Sequence, residues 1–382
     1  MFIRRCLLLS KYTESDLLRL AKRFHNTKRT YLLVDPLQGK HLSVSPSEPI
    51  ELFHELGREI RNHYDDVKLV IGFAETATAV GMAVAEEMAE DCVYIHTTRE
   101  DISSVTSWIE FDEEHSHAVD QKLDATNIGE WIDRTDSIVF VDDEISTGKT
   151  LVNFINQLKE IYPELVEKKL IVASIINRLS DENKERLSQY GIECVSVLEL
   201  EESDYEETVK KYTIKEAQEP RQADGDYSLS EIKSNVKLFD PRRGVFVKDY
   251  YKNCIDFSDD ILKAISFDET DKKVLVIGTE ECMYPAIMLA KRIESLKKMS
   301  VYTHSTTRSP IGICDDKDYP IKNGFKLHSV YDRERVTYIY NIMKYDRVFI
   351  VTDCKDVPKE SLESLINALY SYGNNNILLI RG

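Results

Sequence analysis

VFVDDEISTGKT, residues 139–150, is an apolar run that enters two acids, Asp142 and Asp143, and leaves through Ser146, Thr147, Gly148, Lys149 and Thr150. An amphipathic stretch over 150–161 follows, so the pattern predicts a buried strand, a turn and the start of a helix. Backbone N–H groups at such a start have no intrahelical partner, and the helix dipole adds partial positive charge, which suits a phosphate monoester. Gly148 lets the backbone approach an anion closely, and the hydroxyls of Thr147 and Thr150 can donate to its oxygens. Lys149 either lies over the anion or points to water. Neighbouring strand residues face opposite sides, so Asp142 and Asp143 are not expected to share one proton. They are expected to accept from sugar hydroxyls, directly or through hydrated Mg²⁺. A bare N-capped helix, with Asp143 and Ser146 as caps, would call for neither the paired acids nor TGKT. A Walker P-loop would need Gly at 143, where Asp stands.

Working outward, apolar runs at 68–72, 92–96, 137–142 and 169–176 read as buried parallel strands, with helical patterns over 76–88 and 150–161. That is the order of an open α/β sheet, whose ligands sit beyond the carboxyl ends of the strands. GFAETATAVG (72–81) puts a glycine turn at one such end. Glu75 there reads two ways, as a residue orienting Mg²⁺ or a nearby base, or as an exposed acid favoured by the helix dipole. Arg99, after Thr97 and Thr98, can fork onto phosphate oxygens or form a surface salt bridge with Glu100 or Asp101. His115 and His117, in FDEEHSHAVDQK (111–122), have no further His or Cys at metal-ligand spacing, and ordinary loop histidines are the competing reading.

At 382 residues the chain exceeds one ordinary core, and from 199 to 240 it turns acidic and polar, with Pro220 and Gly225. The expected division is a first domain over 1–215, a linker over 216–240 and a second domain over 241–382. The second half repeats the first. KVLVIGTEECMYPAIMLAKRIE (273–294) parallels KLVIGFAETATAVGMAVAEEM (68–88), VYTHSTTRSP (301–310) parallels VYIHTTRE (93–100), and DRVFIVTDC (346–354) parallels SIVFVDD (137–143). A diverged duplicate is expected, and unrelated strand orders would refute it. Pro358 stands where Gly and Thr would be needed, so the copy is not expected to hold the same phosphate.

A net charge of −17, with no long Lys/Arg run, argues against general nucleic-acid binding. The composition, 42% apolar and 31% charged, is that of a globular chain. Seven scattered cysteines, never spaced CxxC, fit a reducing cytoplasm. Neither a signal peptide nor a membrane span is expected.

VFVDDEISTGKT resembles the PRPP-binding signature of type I phosphoribosyltransferases. Together with GFAETAT, HTTR, EEHSHA and Thr307-Arg308-Ser309-Pro310, it resembles the orotate phosphoribosyltransferase-like proteins fused to a C-terminal TRSP domain. The resemblance implies a Rossmann-like parallel sheet flanked by helices, plus a second α/β domain. It implies a pentosyltransferase that uses Mg-PRPP to ribosylate a nitrogenous base or base-like acceptor and releases pyrophosphate. Asp142 and Asp143 would contact the ribose hydroxyls and the metal, and Ser146 to Thr150 the 5-phosphate. Gly72, Glu75, Thr76, Thr78, Thr98 and Arg99 would meet pyrophosphate. His115, His117 and Lys122 would lie on a mobile loop that closes on the leaving group, and residues 28–46 would form part of a hood for the acceptor. Glu144 departs from the apolar residue often found there. The resemblance also implies an association with tellurite-resistance and stress gene clusters, and leaves a homodimer as the assembly to test. The rival functions are a non-catalytic PRPP-binding regulator and a separate hydrolase or acceptor site at Arg308, Ser309 and Asp353. Ser309 precedes Pro310 with no obvious base nearby, which favours a binding or structural role for Thr307, Arg308 and Ser309.

Overall fold

The computed structural model describes residues 10–24, 26, 29–111, 121–222 and 228–382. The chain opens with α1 (Glu14–Leu17), the antiparallel pair β1 (Arg19–Lys22) and β2 (Tyr31–Val34), and α2 (Ser47–Arg61). The repeating strand and helix pattern then gives β3 (Val67–Gly72), α3 (Thr78–Glu86) and β4 (Val93–His96). A second antiparallel pair, β5 (Trp108–Phe111) and β6 (Gln121–Asp124), precedes α4 (Ile128–Asp133). The quoted stretch becomes β7 (Ser137–Ile145) and α5 (Lys149–Ile161). After it come β8 (Lys169–Asn177), α6 (Asp181–Gln189), β9 (Ile192–Glu199) and α7 (Tyr205–Lys210).

The second half begins with β10 (Ser228–Lys233), β11 (Val245–Phe246), α8 (Val247–Ala264), β12 (Lys273–Gly278), α9 (Met283–Leu296) and β13 (Ser300–Ser305). An antiparallel pair, β14 (Gly324–His328) and β15 (Val336–Tyr340), leads to β16 (Arg347–Thr352), α10 (Lys359–Tyr370) and β17 (Asn376–Arg381). Strand β10 lies within the stretch read from sequence as a linker. It is a polar edge strand, pairing parallel with β17 on one side.

The first sheet has the order β11-β4-β3-β7-β8-β9, parallel except for β11, and the second has the all-parallel order β10-β17-β16-β12-β13. Reading β4-β3-β7-β8 against β13-β12-β16-β17 gives the same succession of first, second, third and fourth strands of each half. The unrelated orders that would refute duplication are not what the sheets show. The faces correspond as well. Val70 and Val141 lie in one core cluster with their counterparts Val276 and Val351, whereas Ile71 and Phe140 lie in a second cluster and Ile277 and Ile350 in a third. Because strand side chains alternate faces, each sheet buries one face in its own core and turns the other toward a core shared by both halves. Helices α2, α3, α8 and α9 fill that shared layer with Phe53, Val80, Phe257 and Ile287.

The N-terminal segment spans the two halves. Arg23 pairs with Ile311 and Val44 with Thr303 in isolated antiparallel bridges. Cys92, Cys194, Cys254, Cys282, Cys314 and Cys354 are free thiols. Among the described residues, no helix is long and apolar enough to cross a membrane.

Candidate functional site

Strand β7 carries its acids past the sheet edge. Asp142 and Glu144 still register with Ser174 and Ile176 of β8, and the chain then turns through Ser146 and Thr147 into Gly148. Gly148 adopts φ +70°, where a side chain is disfavoured, and as the N-cap of α5 it offers no capping side chain, while the Thr147 hydroxyl accepts the Lys149 N–H at 3.3 Å. Arg186 holds the turn by donating to the Thr147 carbonyl at 2.6 Å. A Cβ on Gly148 would lie 2.9 Å from Leu187 Cδ1, a flexible tip, so the backbone conformation sets most of the cost. Gly148→Ala is expected to lower stability by about 1–2 kcal/mol in urea unfolding and to weaken phosphate-ester binding.

Residues 142–151 wall a cavity of about 260 Å³ with Arg23, Arg29, His41, Ala74, Thr76, Gln121 and Ser309. It joins the VFVDDEISTGKT turn to the glycine-turn segment, to the predicted hood and to one residue of the second half. Thus Asp142, Asp143, Thr76, Ser146, Thr147, Gly148, Lys149 and Thr150 come together. The two acids depart from the expectation that they face opposite sides, because both line this one cavity wall, and the Asp143 N–H donates to Asp142 at 2.9 Å. Extension of β7 through Ile145 brings both acids into one cavity wall despite alternation. Burial raises the Asp143 pKa above the carboxylate range, and Glu144 adds to the effect. Asp35, beyond β2, is likewise raised to about 7 by burial, with the Asp143 charge contributing.

Glu144 anchors the hood. Arg29 Nη2 donates to its two carboxylate oxygens at 2.6 and 2.7 Å, Arg178 donates at 3.2 Å, and both guanidinium groups lie over the Tyr31 ring. Neither partner is within 25 residues of Glu144 in sequence, so no local motif announces the clamp.

Gly72 meets a packing demand. A Cβ there would lie 2.7 Å from the Tyr94 hydroxyl, which donates to the Thr78 carbonyl at 2.6 Å. The Ala74–Glu75 peptide bond is cis.

The remaining residues expected on pyrophosphate face the second half. Glu75 is not an exposed acid. It is buried against Lys40 Nζ at 3.0 Å and accepts the Arg308 backbone N–H at 3.0 Å. Burial opposes its charge, but Lys40 and Arg308 outweigh that and hold its pKa below the usual range. Glu281, the counterpart of Glu75, reciprocates by accepting the Arg99 backbone N–H at 3.2 Å and the Thr98 hydroxyl at 2.7 Å. Arg308, the counterpart of Arg99, also reaches Glu280 at 2.9 Å and Glu100 at 2.8 Å. Glu100 further pairs with Arg335, and Asp101 with Lys122. Thr78, Thr98 and Arg99 are not among the cavity walls. Thr307 is buried and accepts the Ser309 N–H at 3.2 Å. His115 and His117 lie outside the described residues.

In the second half Asp353 takes the place of Asp143, but Arg242 binds it at 2.6 Å and Tyr331 at 2.5 Å. Pro358 replaces Gly148 at the start of α10. A separate cavity of about 640 Å³ opens beside Asp353, between Lys237, Arg243 and Lys355. This half therefore keeps the architecture without the phosphate turn.

Residues 17–201 match the family described as phosphoribosyl transferase, and residues 248–369 match the TRSP domain that lies C-terminal to it. The chain belongs to the phosphoribosyltransferases that carry a C-terminal TRSP domain. Similar solved structures include adenine phosphoribosyl transferase from Trypanosoma brucei in complex with AMP, pyrophosphate and ribose-5-phosphate. It is 13% identical with a TM-score of 0.36, over 49% of this chain and 77% of that one. The adenine phosphoribosyltransferase from Rhodothermus marinus is 17% identical with a TM-score of 0.36, over 49% and 96%. The orotate enzyme from Aeropyrum pernix is 15% identical with a TM-score of 0.30, over 49% and 89%. No curated protein matches this chain. The turn at 146–150 singled out from the sequence lines this cavity; His41 and Gln121, which lie in the stretches read as hood and loop, and Arg23 were not singled out, because they carry no motif and reach the cavity through tertiary contacts.

Proposed function

We propose that this phosphoribosyltransferase transfers ribose 5-phosphate from Mg-PRPP to a nitrogen acceptor and releases pyrophosphate. The observation that carries the reading is the single cavity wall in which an acid pair adjoins a turn that enters a helix through a glycine N-cap. The helix start and the hydroxyls of 146–150 would bind the 5-phosphate, and Asp142 and Asp143 the ribose hydroxyls. Those two carboxyl groups also fit a hydrated Mg²⁺, which favours one or two carboxylates together with substrate phosphates. When bound, the ion would neutralise the charge of the leaving pyrophosphate. Arg23 adds positive charge to the wall, Arg29 is paired with Glu144 there, and residues 29–46 would shield the site from water. Catalysis would come mainly from positioning, which supplies about 7–11 kcal/mol in well-oriented systems, and from electrostatic stabilisation.

One observation favours a second reading, a PRPP-binding regulator without turnover. Glu75, Thr98 and the Arg99 backbone, expected on pyrophosphate, are engaged by the TRSP domain. Binding of PRPP and Mg²⁺ to the full chain, followed by pyrophosphate release across a panel of bases, decides between them. Binding with release supports the transferase, and binding without release supports the regulator. Absence of PRPP binding overturns both.

A further inference from the structure

His41 is 4% exposed, yet it lines the same cavity as Asp142, Asp143 and the 146–150 turn. Neither of its ring nitrogens has a hydrogen-bond partner within the protein. Buried polar groups are nearly always matched, so an imidazole buried in a cavity wall with both nitrogens unmatched is a candidate binding group that a small shift of its surroundings would present to a ligand. Burial, with Lys40 beside it, lowers its pKa to about 3. His304 and Arg23 act in the same direction and Glu75 in the other. The ring is therefore neutral and offers one N–H donor and one lone pair.

The TRSP domain holds His41 in place. Val44 pairs with Thr303, Lys40 donates to the Glu280 carbonyl at 3.3 Å, and Asn341 donates to the His41 carbonyl at 3.5 Å. The same domain sends Ser309 into the cavity wall. The Ser309 backbone is fixed, its N–H on Thr307 and its carbonyl accepting from the Tyr340 hydroxyl at 2.8 Å. That leaves the side-chain hydroxyl as the group presented to a ligand.

We infer that His41 and Ser309 together read the acceptor, so that the TRSP domain completes the site of the phosphoribosyltransferase domain. Because neither group carries charge, the acceptor is a neutral heterocycle that presents both a hydrogen-bond donor and an acceptor. This inference rests on the transferase reading above.

Calorimetric titration of the full chain, saturated with Mg-PRPP, with adenine, hypoxanthine, uracil and orotate tests it. A neutral base should bind the wild type. His41→Leu should weaken that binding about 10–100-fold and Ser309→Ala about tenfold, with PRPP affinity changed less than about twofold. His41→Asn, which keeps a donor and an acceptor, should recover part of the loss, and an unshifted melting temperature shows that the variants are folded. The inference is overturned if His41→Leu binds the base as the wild type does, if PRPP affinity falls equally, or if orotate alone binds. It is also overturned if PRPP-loaded wild type binds none of these bases, an outcome that leaves PRPP binding itself intact. Failure of the wild type to bind PRPP would instead remove the transferase reading beneath it.

Discussion

Replacing both Asp142 and Asp143 by Asn is expected to weaken Mg-dependent PRPP binding by about 100-fold or more, because it removes two charged acceptors from one cavity wall. The single variants should not add up to this loss. Asp142 lies against Asp143 and lowers its pKa against the larger effect of burial, so removing one changes the protonation of the other. Stability should move the opposite way. Burial raises the folded pKa of Asp143, so the stability tied to its protonated form is present below its unfolded pKa and is lost as pH rises through the folded value. Asp143→Asn has no such charge to bury and should be at least as stable as the wild type at pH 8. Its binding defect would then not arise from unfolding. Calorimetric titration with PRPP and Mg²⁺, beside a melting curve at pH 8, separates the two effects. Wild-type affinity in the double variant would sink the assignment of these acids to the ribose and the metal.

What was legible in the sequence follows the range of the interactions involved. The strand and turn at 137–150 are local, built from apolar alternation, paired acids and a glycine that must take a positive φ, and they could be read without a partner. The duplication was legible because both halves repeat the same buried runs, and the matching strand orders and core faces rest on those same residues. Strand β10 was not legible. SLSEIK has no apolar run, since an edge strand packs against one neighbour. Glu75 was unreadable for a different reason. The partner that explains it, Arg308, lies 233 residues away, and an acid in a helix-initiating loop looks the same whether its charge meets solvent or a buried guanidinium. His41 has no signature of its own either, and only the meeting of the two domains makes it a cavity residue.

Arg308→Met is expected to cost about 3–5 kcal/mol, the loss typical of removing one partner from a buried ion pair. The reason lies in what stays behind. Arg308 is mostly buried, and Glu75, Glu100, Glu280 and Glu281 all lie within ion-pair distance of it, at 3.4, 2.8, 2.9 and 3.6 Å. Lys40 and Arg242 balance part of this charge and Arg335 pairs with both Glu100 and Glu280, but none of the three reaches all four glutamates as Arg308 does. Arg308→Lys should recover little, because an ammonium cannot fork toward several carboxylates at once. The pH dependence gives the argument a sign. Burial disfavours the Glu281 charge, but Arg242 and Arg308 outweigh it and hold its pKa well below the usual range, as Lys40 and Arg308 do for Glu75. Stability from such depressed groups is present above their unfolded pKa and is lost as pH falls through the folded value. The gap between wild type and variant should therefore be widest near pH 7–8 and narrow toward pH 4, where the abandoned glutamates can take up protons. Urea unfolding at both pH values reads this directly. Equal midpoints at pH 8, or a gap that widens on acidification, would mean that this charge network does not hold the two domains together.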